Sequence, residues 1–310
     1  KKSDLGVRVV FGTLVGLVGG ALLVAGSWWF ASGLALLVYL CSVEYFTVQK
    51  MAKGMKSPPA LLQTTCKLTC IGTILGTQCG IRTGIFEAAS FVLLTMLLLK
   101  KASAKKEKKR RVRFSQITSL VFGLFYCGYL PSFWVKIRLL DLSLPIAVPG
   151  WLEGAAGLLG GRITTGTLCA VMPTLCIIAA DSGAYIGGRT FGRNKLISIS
   201  PNKTIEGAVS GLACSVLAAL SFSWALGGWP NPVVAAVLGV ITFIASLFGD
   251  LIESTMKREA RMKDAGSIIP GHGGVLDRFD SYIFTGVLVY CYWYYFFWAQ
   301  GVPLTQLLAG

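Results

Sequence analysis

"SYIFTGVLVYCYWYYFFWAQ", residues 281–300, runs for twenty residues without a charge. A helix of that length covers roughly 30 Å, the thickness of a bilayer's hydrocarbon core. Just before it, "MKDAGSIIPGHGGVLDRFDS" (262–281) gathers three aspartates, a lysine, an arginine and the chain's one histidine. The contrast recurs along the chain. Only 14% of the 310 residues are charged and 54% are hydrophobic, against roughly 25% charged in an ordinary soluble domain. Nine apolar stretches stand out, at about 9–26, 28–47, 61–79, 85–99, 116–135, 164–182, 207–227, 232–251 and 281–300. A soluble core does not account for so many long apolar runs with so few polar faces. An all-α polytopic integral membrane protein of about nine transmembrane helices is expected.

Lys and Arg set the orientation. With the N-terminus on the cytoplasmic (or stromal) side, alternating spans put 24 of the 29 basic residues inside, and only Arg82, Lys136, Arg138 and Arg162 outside. Lys67 falls within a span and is read as a partner for Glu44 of the preceding span. The net charge of +15 owes much to "KKASAKKEKKRRVR" (100–113). That run reads as a topology signal touching anionic headgroups rather than as a nucleic-acid site. The nine cysteines are odd in number and sit mostly inside spans, as small buried hydrophobes in a reducing setting would. The first apolar run leads straight into another span, so no cleavable signal peptide is expected there; a trimmed organellar transit peptide is compatible with the same residues.

Eight of the fourteen acidic residues lie from Asp181 onward. One membrane domain (1–310) therefore divides into scaffold helices (1–138), a Gly- and Pro-rich outer connector (139–162) and a catalytic half (163–310). In "SLFGDLIESTMKREARMKD" (246–264), Asp250, Glu253, Ser254, Lys257 and Arg261 share one helical stripe. Asp277, Asp280 and Ser281 repeat the spacing, as do Asp181, Ser182 and Tyr185. By the topology above, all three groups emerge on the inner face. Carboxylates near a membrane need partners, and converging acids and bases favour a metal-centred site over structural ion pairs. Oxygen ligands without Cys or His select Mg²⁺. Arg189, Lys195, Lys203, Lys257, Arg258, Lys263 and Arg278 surround the acids, with glycines at 183, 187, 188, 192, 207, 266, 271, 273 and 274 that let backbone approach a phosphate. Together these describe a polyphosphate site at a membrane face, with a lipid as second substrate. His272, within a "PGHGG" turn, reads as a phosphate donor or turn organiser in preference to a general base.

Ser254, Lys257, Arg258, Lys263, Asp264, Gly266, Pro270, His272, Gly273, Gly274, Asp277, Arg278 and Asp280 closely resemble the signature of CDP-diacylglycerol synthases (phosphatidate cytidylyltransferases). "AADSGAYIGGRTFGRNKLISISPNKTIEG" (179–207) is similar to the family's second block, with Asp181, Lys203 and Gly207 in place and Ile205 where an aromatic is usual. "FGLFYCGYLPSFWVK" (122–136) and "DRFDSYIFTG" resemble the plastid and cyanobacterial branch. The resemblance implies an integral membrane enzyme, in a plastid or else a bacterial or cyanobacterial inner membrane, joining CTP and phosphatidic acid into CDP-diacylglycerol and pyrophosphate. It implies Mg²⁺, with Mn²⁺ as substitute and a second cation as a further occupant, held by Asp250 and Asp277 with Asp280. Catalytic roles fall to Asp250, Asp277, Lys257 and Lys203. Substrate contacts fall to Asp181, Arg189, Ser254, Arg258, Lys263, His272, Gly273, Gly274 and Arg278. The expected partners are CTP, phosphatidic acid and membrane lipid, with a homodimer as the assembly and no nucleic acid.

Two other readings remain open. A CTP-dependent polyprenol or phytol kinase would have to activate a neutral hydroxyl and has no reason to carry the whole signature. A transporter would place its charges near mid-membrane, whereas these cluster at one face.

Overall fold

The computed structural model describes residues 14, 16–52, 57–81, 88, 92, 95–96, 114–140, 142, 148, 150–158, 162–197, 200, 202–266, 268 and 273–302. The elements are α1 (Gly16–Ala25), α2 (Ser27–Met51), α3 (Ala60–Gln78), α4 (Phe114–Arg138), α5 (Gly150–Leu158), α6 (Thr165–Phe191), α7 (Ile205–Ala225), α8 (Pro232–Glu259) and α9 (Leu276–Ala299). Among the described residues there is no strand, only an isolated bridge between Lys195 and Thr204. Five helices, α2, α4, α6, α7 and α8, are long and apolar enough to cross a membrane. α3 carries Lys67 and several Thr and Gln residues; α9 opens on Asp277, Arg278 and Asp280 and is rich in Tyr and Trp. The expected span 85–99, the basic run 100–113 and the N-terminal charges lie wholly or largely outside the described residues.

Local chemistry sets the helix ends. Gly26, at φ +132°, breaks the chain between α1 and α2, a conformation an L side chain resists. The Thr164 hydroxyl and Thr167 form a capping box at the start of α6. Asn231 accepts from Val234 N–H at 3.0 Å ahead of Pro232 in the first turn of α8. α4 contains a π-helical turn, Leu124–Tyr129, within the stretch read above as plastid-like. Outward-facing Leu36, Leu217, Trp224, Val233 and Ile244 present the apolar surface a lipid solvent calls for.

The stretch that identifies the membrane class turns one face to protein. On α9, Ile283, Val289, Trp293 and Phe297 are fully buried. Trp293 Nε1 donates to the Cys169 carbonyl at 3.1 Å, and Trp134 Nε1 donates to the Tyr282 carbonyl at 2.8 Å. Tyr295 and Trp298 point outward. α9 packs on α8, α4, α6 and α2, so it is a hub of the bundle. All nine cysteines are unpaired, and Cys41, Cys66, Cys70, Cys127, Cys169 and Cys176 are buried. The expected Lys67–Glu44 pair does not form: Lys67 lies 5.8 Å from the Phe46 ring centroid, and Glu44 turns the other way, toward the start of α9.

Candidate active site

Antiparallel packing brings the C-terminal ends of α6 and α8 beside the N-terminal ends of α7 and α9. Small residues permit it. A Cβ at Gly183 would meet Cys214 Sγ at 2.5 Å and one at Gly211 would meet the Ala180 carbonyl at 2.8 Å; one at Gly187 would collide with Ser210. Close packing of α6 on α7 therefore accounts for Gly183 and Gly187, two of the glycines expected beside phosphate. Gly249 plays the same part between α8 and α9, where a Cβ would strike the backbone carbonyl of Asp280.

The four helix ends enclose a cavity of about 500 Å³. Ten of the fourteen residues expected at the site are on its wall: Asp181, Lys203, Asp250, Ser254, Lys257, Arg258, Lys263, Asp277, Arg278 and Asp280. Gly273 and Gly274 lie just behind, the Gly274 N–H donating to Asp277 Oδ2 at 2.8 Å. Arg189 is not on the wall and donates to the Tyr185 hydroxyl, which is, at 3.2 Å. His272 lies outside the described residues.

Each side chain has a local reason for its place. Thr204 caps α7, accepting from Gly207 N–H at 3.1 Å. Glu206 accepts from the Arg193 and Asn194 N–H groups at 3.1 and 3.3 Å, and Leu196 N–H donates to the Lys203 carbonyl at 2.8 Å. This folded turn delivers Lys203 to an ion pair with Asp250 Oδ2. One helical turn further, the Ser254 hydroxyl donates to Asp250 Oδ1 at 3.4 Å. Lys257 reaches Glu253 Oε2 at 2.6 Å on its own helix and Asp277 Oδ1 at 2.8 Å across the site. The stripe stops short of Arg261. α8 ends at Glu259, and Arg261 has φ +56°, so it no longer shares the helical face.

Acid oxygens converge in one place. Asp250, Glu253 and Asp280 can bring one oxygen each within 4.8 Å of one another, with Glu253 and Asp280 buried. Glu253 Oε1 has no hydrogen-bond partner among the described residues. An orphaned buried carboxylate oxygen beside two more carboxylates is an all-oxygen donor set, which suits a hard cation such as Mg²⁺. Asp277 stands beside this trio. Its oxygens accept from Ala265 N–H at 2.9 and 3.1 Å, from Gly274 N–H and from Lys257, so it ties Ala265 and Gly274 to α8.

Two acids outside the expected set thus belong to the site. Glu253 was visible as a member of the α8 stripe. Glu44, 3% exposed, accepts from Leu276 N–H at 2.7 Å from 232 positions away; its signal was an acid within an apolar span, a functional position by default.

The chain matches the cytidylyltransferase family over residues 6–296. It is 43% identical over 300 residues to phosphatidate cytidylyltransferase 5, chloroplastic, of Arabidopsis thaliana, covering 94% of this chain and 72% of that protein. The Synechocystis phosphatidate cytidylyltransferase is 40% identical over 277 residues, covering 87% of this chain and 90% of that protein. A Staphylococcus aureus phosphatidate cytidylyltransferase is 49% identical over 114 residues. With the matched region running from α1 into α9 and embracing every wall of the cavity, the chain belongs to the cytidylyltransferase family.

Proposed function

We propose that this protein is a phosphatidate cytidylyltransferase, joining CTP to phosphatidic acid and releasing pyrophosphate. The observation that carries the reading is one cavity at the end of an apolar helix bundle whose wall holds Asp181, Asp250 and Asp280 together with Lys203, Lys257, Arg258, Lys263 and Arg278. Such a wall accepts two phosphate-bearing substrates, one of them anchored in lipid. The relatives' names point the same way.

The phosphate monoester of phosphatidic acid carries a second pKa near 6, so near neutral pH it is a nucleophile without help. One of its oxygens attacks the α-phosphorus of CTP. The new P–O bond replaces the bond to the β-phosphate, and that electron pair leaves on pyrophosphate. The protein's task is to hold two repelling anions in line and to neutralise charge on the leaving group. Lys257, tethered between Glu253 and Asp277, and Lys203, tethered to Asp250, are cations held in place before substrate arrives. Arg258, Lys263 and Arg278 add charge along the wall.

Mg²⁺ is the proposed cofactor, with Mn²⁺ as substitute. Asp250 and Asp280 are its proposed ligands, with Glu253 beside them by proximity and Asp277 by the family signature. When bound, the ion would neutralise triphosphate oxygens and favour departure of pyrophosphate. Nine spans, an N-terminus on the cytoplasmic or stromal side, and a homodimer are proposed as the finer architecture, within a plastid or cyanobacterial membrane. Labelled CTP supplied with phosphatidic acid in detergent tests the activity. CDP-lipid and pyrophosphate are expected; a phosphorylated lipid plus CDP would identify a lipid kinase, and no turnover would favour a transporter.

A further inference from the structure

α9 begins without a cap of its own. Its N-cap position is Val275, which supplies no side-chain hydrogen bond, yet the first turn carries Asp277, Arg278 and Asp280. The first N–H groups of a helix lack intrahelical acceptors and need one from elsewhere. Glu44, in the C-terminal half of α2, supplies it: its Oε2 accepts from Leu276 N–H at 2.7 Å. The chain makes room for this carboxylate. A Cβ at Gly274 would lie 2.6 Å from Glu44 Oε2, and a Cβ at Gly266 would collide with Glu44 Oε1. Gly266 follows Lys263, Asp264 and Ala265, and the Ala265 and Gly274 N–H groups both donate to Asp277. The three atoms nearest a Cβ at Gly266 all belong to Glu44.

We propose that Glu44 is a positioning residue for cytidylyl transfer, capping α9 from α2 and seating Gly266 and Gly274 against it so that Asp277 and Asp280 face Lys257 and Asp250. It touches neither substrate; it acts through Leu276, Gly266 and Gly274. A side chain 232 positions upstream therefore belongs to the active-site architecture, and the scaffold half of the chain takes part in the chemistry. The inference rests on the cytidylyltransferase reading above.

Removing a buried hydrogen-bond acceptor and loosening the acids should lower kcat by about 30-fold or more in E44A. The apparent KM for CTP should move less than about threefold, because Lys203 stands on the turn before α7 and Lys257 and Arg258 stand on α8, away from Glu44's contacts. E44Q keeps an acceptor oxygen of nearly the same shape and should retain at least about a third of wild-type kcat. G266A should be damaging alone, yet G266A in the E44A background should be no worse than E44A, because the three atoms nearest that Cβ are Glu44's. The measurement is a steady-state cytidylyl-transfer assay of the full-length protein in detergent with matched far-UV circular dichroism. An E44A enzyme with wild-type kcat, an effect confined to KM, or E44Q as impaired as E44A would each overturn the proposal. If E44A does not accumulate, E44Q and the G266A comparison with E44Q decide it: an inactive, folded E44Q overturns it. A wild-type protein that makes no CDP-lipid would instead fail the functional reading itself.

Discussion

The Lys257 ammonium, from the last turn of α8, lies 2.8 Å from Oδ1 of Asp277, in the first turn of α9. The two residues are 20 positions apart, and their pairing ties the last turn of α8 to the first turn of α9. Lys257 also reaches Glu253 at 2.6 Å, so one cation joins the acid trio to the turn.

Asp277→Asn keeps an oxygen for the Ala265 and Gly274 N–H groups but removes the charge that holds Lys257. Turnover should fall by about 10²–10³-fold while the bundle stays folded, and saturating Mg²⁺ should not restore it. Asp280→Asn should in addition raise the Mg²⁺ concentration needed for half-maximal rate. Mg²⁺ titrations of the two variants read both effects, and near-normal activity of Asp277→Asn would remove that residue from the site.

Gly249 is required where α8 crosses α9. A methyl group there strikes the Asp280 carbonyl and must push the helices apart. Gly249→Ala should cost about 1–3 kcal/mol of stability and a disproportionate share of activity, because the residues that separate are Asp250 and Asp280. Thermal melts in detergent beside turnover numbers check it. Gly16, with nothing within 4 Å of its Cβ position, is the control and should tolerate Ala.

The basic run 100–113 is expected to attract the anionic membrane surface, at about 1 kcal/mol per basic residue near the headgroups. Neutralising four of its lysines should lower activity a few-fold on anionic vesicles and leave it unchanged in neutral detergent. A loss comparable to Lys257→Ala in detergent would make the run part of the substrate site.

His272 bears on how the nucleophile forms. If phosphatidic acid attacks as the dianion, a base's usual contribution of about 10²–10⁴ in rate has nothing to act on. His272→Gln should keep measurable activity with an unchanged pH–rate slope between pH 7 and 8, and His272→Ala should lose more through the Gly273–Gly274 backbone. A several-thousandfold loss at pH 7 that recovers steeply as pH rises would establish His272 as the base.

The sequence alone determined the helical membrane class, the signature and the three groups of charges, because hydropathy and i, i+3, i+4 spacing are local properties of a chain. Asp181, Asp250, Lys257, Asp277 and Asp280 were legible from that spacing, Lys203 from the family's second block, and all six do line one cavity. Tertiary structure decided what depends on packing between distant segments. It made the aromatic stretch 281–300 a hub rather than a helix bathed in lipid, through Trp293 and Phe297 buried in the bundle. It showed that Gly183 and Gly187 serve the α6–α7 contact and Gly249 the α8–α9 contact. It joined Glu253 to Asp250 and Asp280, and it sent Glu44 to Leu276 instead of Lys67. Spacing along one helix says which residues share a face. Which helix that face meets depends on side-chain volumes and on where a buried carboxylate finds an N–H, and only the packed bundle brings residues 44 and 276 within 2.7 Å.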